Sequence, residues 1–104
     1  MSANKMIMCE MREDGRLHVM AFRHDGKVVA DSFRINCMGK EMDFSIGKFV
    51  EFGDGKDLER FAMESILPCL LKAFPGIAKK LSPMPICASI CEMSIGRESS
   101  MRFS

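Results

Sequence analysis

Residues 11–29 read MREDGRLHVMAFRHDGKVV and contain two Asp-Gly pairs between runs in which apolar and polar residues alternate. Asp-Gly is preferred in two-residue hairpin loops, because both positions of a type I′ turn need a positive φ angle. Taking Asp14-Gly15 and Asp25-Gly26 as the loops predicts three consecutive antiparallel strands. This register places Glu13 opposite Arg16, a favourable pair of opposite charges across two strands.

The pattern continues toward the C-terminus. A turn around Gly39 leads into a predicted fourth strand over about 41–52, where apolar and polar residues again alternate. Asp54 is the predicted N-cap of a helix whose apolar residues recur every three to four positions. Pro68 should kink this helix, because proline donates no backbone hydrogen bond, and Phe74-Pro75-Gly76 should end it.

The element order β-β-β-β-α-β predicts an α+β fold. The expected architecture is an antiparallel four- to five-stranded β-meander with one kinked helix packed on one face. The last strand is predicted at 86–95. Residues 1–95 are expected to form a single α+β domain, which is followed by a polar C-terminal tail at 96–104. A length of 104 residues lies within the usual size of one domain.

The charge balance argues against a dedicated nucleic-acid-binding protein. The chain carries 15 Lys and Arg against 14 Asp and Glu. Nucleic-acid-binding proteins usually have a clear basic excess, because phosphate contacts supply most of their affinity. Hydrophobic residues make up 47% of the chain, which is typical of a globular protein and not of a disordered one.

The cysteines and the apolar runs together indicate a compartment. Five cysteines cannot all pair within one chain, and the charged residues at 10–13 interrupt any signal peptide. No run approaches the roughly 18 apolar residues that a membrane span needs. We therefore expect a cytoplasmic protein with free thiols and no membrane association. The spacing of Cys87 and Cys91 lacks the close ligand pairs of zinc sites, so no metal and no cofactor are expected.

No catalytic motif is present in the sequence. It contains neither a phosphate-binding glycine loop nor a nucleophile elbow. His18 and Asp31 become diagonal neighbours in the predicted register, which favours a histidine paired with a carboxylate in the core over a general base. No catalytic residue is assigned, and an enzyme or redox activity based on His18 or the cysteines is the third hypothesis.

The predicted register divides the first three strands between two faces. One face carries the bulkier side chains, among them Met20, Phe22 and Val29, and is assigned to the core under the helix. The other face is apolar in its middle and charged at its ends, like a protein interface. The predicted interface residues are Met8, Arg12, Leu17, Val19, Ala21, Arg23, Val28 and Arg34. The alternative is that the last strand, the tail, or Phe49 and Phe52 cover this face.

These features favour a small non-enzymatic regulator or inhibitor that acts by covering a surface of its partner. The partner would be a larger protein or a second copy of the chain. A compact chain without catalytic motifs also suits a phage, mobile-element or immunity protein, by association alone. The alternative is a nucleic-acid-binding module that uses Arg12, Arg16, Arg23 and Arg34 along the sheet, although that face offers no aromatic side chains for base stacking.

Overall fold

A computed structural model of the chain describes residues 5–92. The elements follow the predicted order β-β-β-β-α-β. They are β1 (Met6–Met11), β2 (Leu17–His24), β3 (Lys27–Cys37), β4 (Lys40–Phe52), α1 (Gly55–Phe61), a π-helical turn (Ala62–Ile66), α2 (Leu67–Ala73), a 3₁₀ helix (Pro75–Lys80) and β5 (Ile86–Glu92). The predicted strand residues 93–95 and the predicted tail at 96–104 lie outside the described residues.

The strands form one mixed sheet in the order β4-β3-β1-β2-β5. β1 lies between β2 and β3, antiparallel to β2 and parallel to β3, while β5 runs parallel to β2 at one edge. β2 and β3 pair directly only beside their turn, at Arg23–Val28 and His24–Lys27. Beyond these two pairs the strands separate, and β1 lies between them. The mixed α+β class is confirmed, but the predicted antiparallel meander is wrong.

The first hairpin has a three-residue loop rather than the predicted two-residue loop. Met11 pairs with Leu17, and the Arg12 N–H donates to the Arg16 carbonyl over 3.0 Å. Gly15 adopts the left-handed conformation, with a φ of +82°, that such a loop needs at its last position. One additional loop residue shifts the register of β2 by one position and turns every side chain of this strand to the opposite face.

The second hairpin has the predicted two-residue loop. Asp25 and Gly26 have φ angles of +57° and +77°, as a type I′ turn requires. The turn into β4 uses the same pair of positive φ angles at Met38 and Gly39. The predicted turn around Gly39 is therefore confirmed.

A bulge between β3 and β4 changes the alternation of β3. Ala30 pairs with Val50, whereas Ser32 pairs with Ser45, which leaves residues 46–49 of β4 opposite a single residue of β3. Bulges bend a strand and redirect its side chains. Even-numbered residues of β3 consequently face the core before the bulge, and odd-numbered residues face it afterwards.

Asp54 caps α1 as predicted. Its carboxylate accepts a hydrogen bond from the Asp57 N–H over 3.0 Å, and the Asp57 carboxylate accepts one from the Gly53 N–H over 2.8 Å. Two backbone donors at the start of the helix are thereby satisfied by neighbouring side chains.

The helix widens at its centre because of Pro68. The Leu67 N–H donates to the Ala62 carbonyl, five residues earlier, and Pro68 follows at the start of α2. A π-helical turn of this kind accommodates a proline that clashes with an α-helical turn and donates no hydrogen bond. Phe74 then leaves the helical conformation, with φ −132° and ψ 73°, so the predicted end is confirmed. No helix within residues 5–92 is long and apolar enough to cross a lipid bilayer.

The core lies between the sheet and the helices. The sheet contributes Ile7, Leu17, Val19, Val28 and Ile35, and the helices contribute Leu58, Ile66 and Leu70, each at most 1% exposed. Burial of such side chains contributes roughly 1.5–3 kcal/mol each to the free energy of unfolding. Leu17, Val19, Ala21 and Val28, which the sequence assigns to an interface, therefore face the core, because the first loop is one residue longer than predicted.

Candidate functional site

The side of the sheet opposite the helices, called the open face below, has an apolar centre. Its side chains are Met6, Met8, Met20, Phe22 and Val29, of which Phe22 is 37% exposed and the others are half-buried. Met8 and Met20 are direct register partners on β1 and β2. Methionine side chains adapt to the shape of a partner, because they are unbranched and polarisable.

Paired charges border the apolar centre. Arg34, the neighbour of Met8 on β3, donates two hydrogen bonds to Asp43 on β4, from Nε to Oδ1 over 2.6 Å and from Nη2 to Oδ2 over 3.0 Å. These hydrogen bonds lower the pKa of Asp43 and raise the pKa of Arg34 relative to their ordinary values, so both groups stay charged near neutral pH. At another border, Arg12 Nε lies 3.5 Å from Glu10 Oε1.

The predicted interface residues do not form one surface. Leu17, Val19, Ala21 and Val28 are at most 2% exposed and lie in the core. Met8 and Arg34 lie on the open face, and exposed Arg12 lies at its border. Half-buried Arg23 pairs with Glu92, with 2.9 Å between Nε and Oε2. The interface assignment is therefore wrong for the four buried residues and stays a prediction for the others.

Met20, Phe22 and Val29 belong to the open face, although the predicted register assigns them to the core. A three-residue loop over Glu13-Asp14-Gly15, with glycine in the left-handed position, is also a common hairpin connection. This loop places the small and aliphatic residues of β2 in the core. The same register places Met20 and Phe22 outside it.

His18 lies on the open face, far from Asp31. Its register partners are Glu10 on β1 and Cys87 on β5. Asp31 instead adjoins Lys5, whose carbonyl accepts a hydrogen bond from the Asp31 N–H over 3.0 Å. Lys5 and Glu10 are five residues apart along the chain, roughly 16 Å in a strand. The predicted pair of His18 and Asp31 is therefore wrong.

The register aligns a thiol, an imidazole and a carboxylate across three strands, in the order Cys87, His18 and Glu10. Within residues 5–92, the buried His18 Nε2 has no hydrogen-bond partner and lies 3.7 Å from Asp14 Oδ2. Nucleophilic catalysis needs a base within hydrogen-bond reach of the nucleophile. This row does not make that contact, and we assign it no catalytic role.

All five cysteines are free thiols in two different environments. Cys9 and Cys37 are buried, whereas Cys69, Cys87 and Cys91 are half-buried. Burial raises the pKa of the Cys9 thiol from 9.0 to about 12 and also raises the pKa of Cys37. In the part of the chain that the structure describes, no three His, Cys, Asp or Glu residues are grouped to hold a metal ion.

Because the Cys9 thiol is buried, we expect the protein to lose stability at alkaline pH. The pKa of Cys9 is higher in the folded state than in the unfolded state. The contribution of the protonated thiol to the free energy of unfolding is therefore complete below about pH 9 and is lost as the pH rises toward 12. The free energy of unfolding should fall by up to about 1.4 kcal/mol per pH unit in this window. Urea denaturation of wild type and Cys9→Ala between pH 8 and pH 11 measures this slope. An equal slope in both proteins would contradict the expectation.

Comparison with known proteins finds no match to this chain among protein families, curated proteins or solved structures.

Proposed function

We propose that the protein is a small non-enzymatic binding protein, a regulator or inhibitor, that docks its open face against an apolar surface of a larger protein. The observation that carries this proposal is the apolar centre of the open face, which no helix between residues 5 and 92 covers. Apolar patches with charged borders are typical of protein interfaces.

The arginines of the nucleic-acid hypothesis all have partners within the protein, and this favours a protein ligand. The partners are Glu10 for Arg12, the Met84 and Ile86 carbonyls for Arg16, Glu92 for Arg23, and Asp43 for Arg34. A guanidinium that binds a phosphate would first have to give up these contacts. Of the described side chains at the apolar centre of the open face, only Phe22 has an aromatic ring for base stacking.

The paired charges also define the chemistry of the partner. The chain has a formal net charge of +1, and the two arginines that border the open face, Arg12 and Arg34, each pair with a carboxylate. Long-range attraction between charges, which salt screens, then contributes little to association. The expected partner surface is apolar with little net charge, and the complex should persist at high salt.

Met20→Glu is expected to abolish association with the partner while leaving the fold intact. The new carboxylate would be buried without a counter-charge in the interface, which costs several kcal/mol of binding free energy. The test compares proteins captured from lysate by wild type and by Met20→Glu at about 0.1 and 0.5 M NaCl, identified by mass spectrometry. A protein that wild type retains at both salt concentrations and Met20→Glu loses is the expected result.

Met63→Glu is the matched control, because Met63 is an exposed methionine on the helical side of the protein. It should retain the partner at wild-type level. Equal loss with both variants would show that the open face is not the docking surface. Capture of nucleic acid that is released at the higher salt concentration would favour the alternative hypothesis. A dimer that Met20→Glu dissociates, measured by light scattering, would identify a second copy as the occupant.

A further inference from the structure

The helices cover only part of the core face of the sheet. α1 packs mainly against β5, with fewer contacts to β2 and β4. Neighbouring strands lie about 4.8 Å apart and a helix is about 10 Å wide, so one helix covers about two of the five strands. Phe44, Ile46 and Val50 of β4 consequently remain half-buried beside the helix, whereas the apolar core-face side chains of β3 are buried.

These side chains form a groove of about 500 Å³ between β4 and the helix. Its apolar lining includes Phe33, Phe44 and Phe61, and Ser65 and Cys69 line the helical side. The volume lies in the range of small-molecule sites, which are mostly apolar and contain few polar groups. The groove is on the opposite side of the sheet from the open face and is therefore independent of the proposed protein interface.

Aromatic contacts hold the walls of the groove in place. The Phe33 and Phe44 rings stack with their centroids 5.1 Å apart and an interplanar angle of 15°. Phe61 meets Phe52 edge to face, with the centroids 5.4 Å apart. Such pairs contribute stabilisation beyond the area that they bury, so the groove exists before a ligand enters.

Two irregularities of the backbone border the same groove. On one side, Ile46 and Lys48 belong to the four-residue bulge of β4, where Gly47 has a φ of +87°. On the other side, Ser65 belongs to the π-helical turn. Bulges and π-helical turns both occur frequently beside functional sites. Here the two irregularities lie on opposite sides of the groove, and Phe44 and Phe61 between them are half-buried.

Among the residues that the structure describes, Lys48 is the only charged one that lines the groove. Its side chain is exposed, and within residues 5–92 it forms no ion pair. A lysine ammonium at the edge of an apolar groove complements a ligand that has one negative charge and an apolar body. Ser65 adds a hydroxyl that can donate a hydrogen bond to a ligand oxygen.

We infer that this groove binds a small amphipathic carboxylate, whose apolar part contacts the three phenylalanine rings and whose carboxylate pairs with Lys48.

Decanoate is the probe, and the reaction of each cysteine with a maleimide, followed by mass spectrometry, is the measurement. Cys69 lies in the groove, whereas Cys87 and Cys91 are on the open face and serve as internal controls. At ten times its dissociation constant, decanoate should slow the labelling of Cys69 about tenfold and leave the other two rates unchanged. Absence of protection at Cys69, or equal protection at all three cysteines, would overturn the proposal.

Calorimetry then tests the location of the bound decanoate. Ser65→Trp places a large ring in the groove from an exposed position, so decanoate binding should be lost while circular dichroism stays unchanged. A Cys87→Ser, Cys91→Ser variant should bind decanoate as wild type does and should lose binding once maleimide labels Cys69, which keeps the test independent of the folding of Ser65→Trp. Retained binding in the labelled protein would overturn the proposal, as would a wild-type dimer that Ser65→Trp dissociates.

Lys48→Ala tests the charge of the ligand. It should weaken decanoate binding about two- to fivefold, the range for an exposed ion pair, and leave the binding of decan-1-ol unchanged. Lys40→Ala, on the same strand but outside the groove lining, is the matched control and should bind both compounds as wild type does. Equal weakening of both compounds by Lys48→Ala, or no weakening of either, would contradict the carboxylate assignment.

Discussion

Val19→Glu is expected to unfold the protein, whereas Met20→Glu, one position along the same strand, is expected to leave it folded. Val19 is fully buried in the core, while Met20 lies on the open face. A glutamate buried without a partner stays protonated, which costs about 4 kcal/mol at pH 7 relative to an unfolded carboxyl group with a pKa near 4.3. The longer side chain adds strain in a close-packed core. The total is comparable to the whole stability of a small domain, roughly 5–15 kcal/mol.

Circular dichroism and urea denaturation of the two variants measure this difference. The destabilisation of Val19→Glu should decrease as the pH falls toward 4. At that pH the glutamate is also protonated in the unfolded state, so keeping it protonated in the core no longer costs free energy. If Val19→Glu were folded and Met20→Glu unfolded, the two-residue loop predicted from the sequence would be right and the faces of the sheet would be exchanged.

Gly15→Ala is expected to lower the free energy of unfolding by roughly 3–6 kcal/mol. Three effects contribute: left-handed backbone strain in a residue with a side chain, overpacking, and a lost hydrogen bond. A Cβ atom at Gly15 would lie 2.5 Å from the Lys80 carbonyl oxygen and 2.9 Å from the Ser82 nitrogen. Relief of this clash would break the hydrogen bond from the Ser82 N–H to the Gly15 carbonyl, now 2.8 Å long.

Gly26→Ala separates backbone strain from the close contact. Gly26 has a similar φ of +77°, but no atom lies within 4 Å of the Cβ position. Gly26→Ala should lower the free energy of unfolding by only about 1–2 kcal/mol, from backbone strain alone. Thermal and urea denaturation of both variants provide the comparison. Equal losses at the two positions would show that the first loop does not pack against the Lys80–Ser82 segment.

Local features of the fold could be predicted from the sequence. The Asp25-Gly26 turn, the cap at Asp54 and the end of the helix at Phe74 each depend on a few adjacent residues, and all three are observed. Pro68 predicted a kink, and the structure has a π-helical turn immediately before this residue. In each case, the residue type restricts the backbone without help from the rest of the chain.

The arrangement of the strands and the faces of the sheet could not be predicted in the same way. Asp14-Gly15 fits both a two-residue loop and the last two positions of a three-residue loop, and packing of Leu17 and its neighbours against the helix decides between them. The placement of β1 between β2 and β3, and of β5 beside β2, depends on contacts between distant segments. The composition of the open face was therefore misassigned even though its strands were located.

The central strand of this sheet is also the first in chain order among the strands of residues 5–92. During synthesis on a ribosome, β1 emerges before either of its neighbours, and Met6 must wait for residue 32 before its partner on β3 exists. The β1–β2 hairpin and the β2–β3 turn each join residues that are close in sequence, so both can form early. The parallel pairing of β1 with β3 instead joins residues that are far apart in sequence. Completion of the middle of the sheet therefore depends on a long-range contact and not on a hairpin.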